Sequence, residues 1–289
     1  MPSISLDSVR IRQMQPSDLP GALALSTEIG WNQTAADWQR MLQLEPKGCF
    51  VAESDGHVVG TTLCCVFGSV AWLAMVIVTE SLRGHGLGQN LVQHGLDYAR
   101  QCGIATVRLD ATVLGEAVYR KFGFQRQFEL IRMAGVSTLA KSPAPNPSYT
   151  VTTSEPSDLN MILEFDRRAT QTDRSKLLRH LCRETAPWVA VDDQRQPQGW
   201  LACRHGRLAT HIGPCSGSLH AAVALLRHAL KSSQGNSVIV DFPADHSVLL
   251  GVAQDFGLTP QRTLLRMCCG PAVIEDSEHF HASYGGEFG

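Results

Sequence analysis

The chain has no apolar run approaching the roughly 20 residues that a membrane-spanning helix needs. Its central apolar segment, Val70 to Val78, is far shorter, and the first residues lack the basic start and apolar stretch of a secretory signal. Charge of one sign is also missing. The formal net charge is −2, which leaves no basic footprint for nucleic acid. Among nine cysteines there is no C-x-x-C, while Cys64-Cys65 and Cys268-Cys269 are adjacent pairs, so reduced core thiols are expected rather than a metal site. His279 and His281 are spaced like a weak metal pair, but a polar mobile tail is the better expectation there. No Gly-Lys-Ser/Thr closes the glycine-rich run, which disfavours a nucleoside-triphosphate loop, and the spacing is not G-x-G-x-x-G. A cytoplasmic protein with neither nucleic-acid nor membrane partners is expected, as a monomer or homodimer.

What is present begins with that run, Arg83-Gly84-His85-Gly86-Leu87-Gly88, placed between the apolar strand Val70 to Val78 and a helix-patterned stretch. Glycines remove the Cβ atoms that would hold an anion off the main chain, and they permit the φ > 0 conformations that turn successive N–H groups inward. The helix behind them adds its positive end. Arg83 through Gln89 therefore reads as a cradle for a pyrophosphate. Leu87, Leu91, Gly95 and Ala99, with Val92 and Leu96 beside them, give that helix one buried face.

A repeat organises the rest. Gln15-Pro16-Ser17-Asp18-Leu19 returns as Glu155-Pro156-Ser157-Asp158-Leu159, Phe50-Val51-Ala52 as Trp188-Val189-Ala190, and Lys121-Phe122-Gly123-Phe124 as Asp255-Phe256-Gly257-Leu258. Two copies of one fold are predicted, 1–138 and 149–289, joined by a proline-rich linker over 139–148. In the first copy the spacing predicts helices over Pro16 to Ile29 and Thr34 to Leu44. A hairpin follows over Cys49 to Phe67, then the central strand Val70 to Val78, the loop-led helix, and a strand over Thr106 to Ala111. A short helix from Gly115 to Phe122 and a last strand from Phe124 to Ala134 complete it.

The Arg-x-x-Gly-x-Gly loop, the Val-Ile-Val-Thr-Glu strand exit before it and Ala-Val-Tyr-Arg-Lys-Phe-Gly-Phe some thirty residues later resemble the GCN5-related N-acetyltransferases. The resemblance is strongest from Val9 to Gly135. It implies a mixed α/β sheet in two tandem acetyltransferase-type domains, with acetyl-CoA as cosubstrate and a primary amine of a small molecule or peptide as acceptor. In the family two neighbouring strands splay apart and the pantetheine arm bonds the main chain of the first, which by resemblance places the backbone of Val76 and Val78 on that arm. Loop residues Arg83, Gly84, His85, Gly86, Leu87, Gly88 and Gln89 would take the pyrophosphate.

Tyr119 matches the tyrosine that many members direct at the coenzyme sulfur, where a phenol can protonate the departing thiolate. Thr112 stands where an Asn is often found seven residues earlier, and Gly115 where Ala is usual. No acid lies in Val70 to Val78, where some members carry a glutamate base, so the base is unassigned and Asp110 is the leading candidate to meet the amine. The acceptor cleft is expected near Glu28, Trp31, Asn32 and Trp72, with Trp38 serving the core or the cleft. The second copy has Pro214, which lacks an N–H, in its loop His211 to Ser218, and Ala253 opposite Tyr119, so it is expected to be degenerate. The rival expectation is a non-catalytic acyl-CoA-binding sensor.

Overall fold

The computed structural model describes residues 9–141 and 149–289. The proline-rich linker therefore lies outside the described residues from 142 onward. Among the described residues no helix is long and apolar enough to cross a membrane.

The first half runs β1 (Arg10–Gln13), α1 (Leu19–Glu28), α2 (Ala35–Leu44), β2 (Cys49–Ser54), β3 (His57–Phe67), β4 (Val70–Val78), α3 (Leu87–Gln101), β5 (Thr106–Thr112), α4 (Glu116–Arg120) and β6 (Gln125–Val136). The second half repeats that order as β7 (Thr150–Thr153), α5 (Leu159–Thr170), α6 (Ser175–Glu184), β8 (Trp188–Val191), β9 (Pro197–Arg204), β10 (Thr210–Gly217), α7 (Leu219–Ser232), β11 (Ser237–Pro243), α8 (Ser247–Asp255) and β12 (Thr259–Cys269), then adds β13 (Phe280–Ala282). The Pro-Ser-Asp echo has a mechanical cause. Asp18 accepts from the Gln15 N–H at 2.7 Å and Asp158 from the Glu155 N–H at 2.8 Å, so each copy opens its first helix with the same reciprocal cap. Thr34 and Asp37 form a capping box on α2.

The compact units do not coincide with the sequence halves. One comprises the described residues up to Gln125 with Met267–Ala272 and Gly286–Phe288; the other comprises the described residues between Arg126 and Arg266 with Val273–Gly285 and Gly289. The last strand of each half has thus gone to the other unit for part or all of its length. In the first unit the strand order is β1-β2-β3-β4-β5 followed by the end of β12, and in the second it is the rest of β12 and then β6-β11-β10-β9-β8-β7. What commits β6 to the second unit is its pairing, since Leu130 to Val136 run antiparallel along Pro243 to Ser237. Arg132 then donates to both carboxylate oxygens of Asp241, at 2.7 and 2.6 Å, in a buried pair. Burial works against the Asp241 charge, but Arg132 wins and holds that carboxyl down at about 2.

Each unit has its own core. Ala52, Val59, Leu82, Leu87 and Leu91 pack with Val76 and Val78 behind the glycine loop of the first. The second is centred on α7, β10, β11 and α8, through Leu225, Leu226, Ile212, Val240, Phe242 and Leu249.

The C-terminal segment corrects the expectation of a polar mobile tail. Phe280–Ala282 forms β13, His281 is buried with Nε2 at 2.8 Å from the Gly217 main-chain oxygen, and Tyr284 and Phe288 are fully buried. Its small and polar residues read as loop, yet they let the backbone approach other strands and pair with them. His279 turns to Asp276, with Nδ1 at 2.9 Å from Oδ2.

Candidate functional site

β4 and β5 are parallel and paired only at their starts, with Val70, Ala71 and Trp72 opposite Thr106, Val107 and Arg108. Among the described residues their pairing ends there, so the β5-facing edge of β4 from Leu73 to Val78 has no β5 partner. Val76 and Val78, half-buried, lie along this edge. Asp110, two residues past Arg108 and also half-buried, lies on the part of β5 beyond that pairing.

The β4 backbone is not regular there. Thr61 on β3 pairs with Ile77 and Leu63 pairs with Ala74, so β4 carries an extra residue, and Met75 adopts φ +54°. A bulge bends a strand and re-aims its groups, and a non-glycine residue at positive φ costs about 1–3 kcal/mol. The Met75 main-chain oxygen accepts from the Thr61 hydroxyl at 2.7 Å. Neither residue carries a sequence signal for this, since Met is not a residue that advertises positive φ.

At the end of β4, a short 3-10 turn over Glu80–Leu82 leads into the glycine loop. Gly84 and Gly86 stand at φ +81° and +88°, in the left-handed region, and a Cβ on either would meet no atom within 4 Å. Gly86 is the N-cap of α3 and no side chain caps that helix, so its first-turn N–H groups have no side-chain acceptor from the cap position. Gly88 packs toward Val78, where an added Cβ would lie 3.8 Å from Cγ2, which fixes the loop to the strand end. Arg83 is exposed, and its Nε donates to the Val78 main-chain oxygen at 2.9 Å. His85 is exposed and, with Leu87, Asn90 and His94, borders an open cavity of about 570 Å³ whose other side is β1.

Tyr119 sits at the C-terminal part of α4, its ring edge-to-face with Phe124 at 5.8 Å. Its hydroxyl makes no hydrogen bond among the described residues, and burial pushes it up to about 12, so it is protonated at neutral pH. The residues expected around the acceptor are more dispersed. Glu28 is exposed, Trp31 half-buried and Asn32 buried at the α1–α2 junction. Trp38 is a core anchor there, donating its indole N–H to the buried Ser26 hydroxyl at 3.1 Å. Trp72 is 4% exposed, lies 5.7 Å under the Arg108 guanidinium, and spends its indole N–H on the Gly286 main-chain oxygen at 3.2 Å.

Residues 17–124 match the acetyltransferase (GNAT) family profile, and residues 162–282 match an acetyltransferase (GNAT) domain profile. The chain belongs to the GNAT superfamily, with two tandem GNAT domains. Among curated proteins it is 24% identical over 150 residues to holothin acyltransferase of a Pseudoalteromonas species, a match that spans 52% of this chain and about half, 49%, of that relative. Among solved structures, a candidate acetyltransferase from Pyrococcus horikoshii has a TM-score of 0.82 at 19% identity, covering 100% of this chain and 99% of that one. A tandem GNAT protein from the clavulanic acid biosynthesis pathway has a TM-score of 0.65 at 16% identity, covering 92% and 100%. Membership of the GNAT family implies acyl transfer from an acyl-CoA cosubstrate.

The equivalent place in the second GNAT domain is built differently. β10 and β11 are also parallel only at their starts, Thr210 and His211 opposite Val238 and Ile239. Here the chain fills the gap itself. β13 runs antiparallel on β10, with Cys215 opposite Ala282 and Ser216 opposite Phe280, and the Ser283 N–H donates to the Asp241 oxygen on β11 at 3.0 Å. The Ser218 hydroxyl accepts from Ala221 N–H and so caps α7. Gly217 is packed so tightly that an added Cβ would fall 2.3 Å from the Gly199 Cα.

Proposed function

We propose that the protein transfers acetyl from acetyl-CoA to a primary amine of a small molecule or peptide, at the wedge between β4 and β5. The observation that carries this is the end of the pairing between those strands beside an uncapped helix whose loop glycines, Gly84 and Gly86, leave open space. The opened edge of β4 suits an extended, amide-bearing arm, which would bond the Val76 and Val78 main chain as a strand would. The loop N–H groups from Gly84 to Gln89 suit its pyrophosphate. Arg83, with Nε on Val78, can still present its terminal nitrogens to an anion.

Direct transfer fits the thiols. Burial raises the Cys64 thiol well above its ordinary range, which removes the thiolate an acyl carrier would need. Tyr119, protonated at neutral pH, is suited to donate toward the leaving sulfur and unsuited to act as base. Asp110 is assigned to the acceptor amine. Glu28, Trp31 and Asn32 are assigned to the acceptor side of the cleft, whereas Trp72 would act through the segment it anchors. The likeness to holothin acyltransferase supports an enzyme over a coenzyme-binding sensor.

The second domain is proposed to be degenerate. Its support is the strand β13 in the gap that would have to receive the arm. An amine panel scored for release of coenzyme A tests the reading. Turnover of at least one amine that falls in Tyr119→Phe and Asp110→Asn is expected, and binding of acetyl-CoA with no turnover of any amine would favour the sensor.

A further inference from the structure

We infer that Thr61 is a positioning residue for acyl transfer, acting on the Val76 N–H through the Met75 carbonyl. The inference rests on the transfer site proposed above. A trans peptide holds its C=O and N–H in one plane, pointing in opposite directions. The peptide from Met75 to Val76 directs its oxygen at Thr61 on β3, 2.7 Å from the hydroxyl. Its N–H therefore points away from β3, on the side where β5 no longer pairs. A donor aimed there meets the oxygen of a thioester carbonyl held in the wedge and the oxyanion formed when an amine adds to it.

The bulge explains why a side chain is needed. Between the pairs Thr61–Ile77 and Leu63–Ala74 the ladder has two residues of β4 facing one of β3, so regular register is lost at Met75 and Val76. The Thr61 hydroxyl supplies a donor to the Met75 oxygen and so fixes the rotation of that peptide. Thr61 is fully buried and Met75 is 4% exposed, so water does not substitute readily. Without this bond the Met75 backbone, at φ +54°, has less to hold it in a sparsely populated conformation. Thr62 provides a matched contrast. It is as buried as Thr61, but its hydroxyl makes no hydrogen bond among the described residues.

The test compares Thr61→Val, which keeps the shape and removes the donor, with Thr61→Ser, which keeps the donor, and with Thr62→Val as control. Two readouts are taken: steady-state acyl transfer, and the isotope-edited infrared stretch of the carbonyl of bound 13C-labelled acetyl-CoA. Thr61→Val should lose roughly 10- to 100-fold in kcat with little change in the KM for acetyl-CoA. Its carbonyl stretch should move back toward that of the unbound thioester. Thr61→Ser should recover both, and Thr62→Val should match the wild type. A Thr61→Val variant with wild-type kcat and carbonyl frequency overturns this inference alone, whereas a wild-type protein that binds no acetyl-CoA overturns the transfer-site reading and this one with it. Should Thr61→Val fail to fold, the unmodified protein decides the point by NMR. The Val76 amide proton should shift downfield with acetyl-CoA more than with coenzyme A lacking the acyl group, and equal shifts overturn the inference.

Discussion

The indole N–H of Trp72 donates to the main-chain oxygen of Gly286, 3.2 Å away and 214 residues later in the chain. Phe288, two residues beyond, packs edge-to-face on Phe67 at 5.8 Å, so the segment is held at both a polar and an aromatic point. Trp72→Phe keeps an aromatic ring and removes the donor, which leaves the half-buried Gly286 acceptor without this partner. The expected cost is about 1–2 kcal/mol, together with faster proteolytic release of the last residues. Denaturant midpoints and limited proteolysis read the two effects, and a variant as stable and as resistant as the wild type would show that the bond is incidental.

Gly86→Val addresses the loop. At φ +88° a branched side chain is strained by about 1–2 kcal/mol, and its bulk projects into space the protein leaves open. The variant should fold with a modestly lower midpoint and bind coenzyme A at least tenfold more weakly. Calorimetry on the folded variant decides it, and wild-type affinity would detach the loop from the pyrophosphate.

The backbone of this loop was legible beforehand, because glycines between a strand and a helix mark positive φ, and Gly84 and Gly86 adopt it. The repeat was legible for a similar local reason, the self-contained cap made by Asp18 and again by Asp158. The partners of the last strands were not. Nothing in the pattern of Gln125–Val136 states that it pairs with β11 rather than with a neighbour from its own half, since partner choice rests on distant contacts such as Arg132 with Asp241. The bulge at Met75 escaped because the hydroxyl that bonds its carbonyl, on Thr61, lies 14 residues away and on another strand. The Phe280 to Phe288 segment was misread because polarity and glycine signal a loop, whereas here they accompany backbone paired on both sides.

Tyr119→Phe tests the proposed acid. The phenol is raised to about 12 by burial alone, so the substitution removes a proton donor and little packing, and the contact with Phe124 survives. Turnover should fall by roughly 100-fold while coenzyme affinity stays within a factor of two or three. An unchanged turnover would take Tyr119 out of the mechanism.

Two histidines of the second unit should make it sensitive to acid. Burial pushes His281 down to about 4, against the pull of its bond to Gly217, with His246 and His279 adding to the shift and Asp276 opposing it. His211 is lowered to about 3, again by burial first, then by Arg204, with Asp241 opposing and Arg132 adding. Below pH 6.5 the unfolded chain binds protons that the folded chain refuses. This contribution is complete above the ordinary histidine range and is lost as pH falls toward 4, at a cost on the order of a few kcal/mol. His281→Gln can keep a donor without titrating, and should flatten the stability profile between pH 6.5 and 4. A profile as steep as that of the wild type would assign the acid sensitivity elsewhere.

One coenzyme should bind per chain. In the first unit the edge of β4 beyond Trp72 is unpaired toward β5 and α3 carries no side-chain cap, so the site offers main-chain groups and a helix end to a ligand. In the second, β13 already pairs with β10, the Ser218 hydroxyl already caps α7, Pro214 has no N–H to give, and Gly217 lies against Gly199. A ligand there would have to displace a buried strand and a cap to gain bonds of the same kind, which leaves nothing to offset its own desolvation. Isothermal titration with coenzyme A should give a stoichiometry of one, and Gly86→Val should abolish that single event rather than uncover a second. Two events per chain, or one that survives Gly86→Val at full affinity, would place the working site in the second domain and leave the β4–β5 wedge without its ligand.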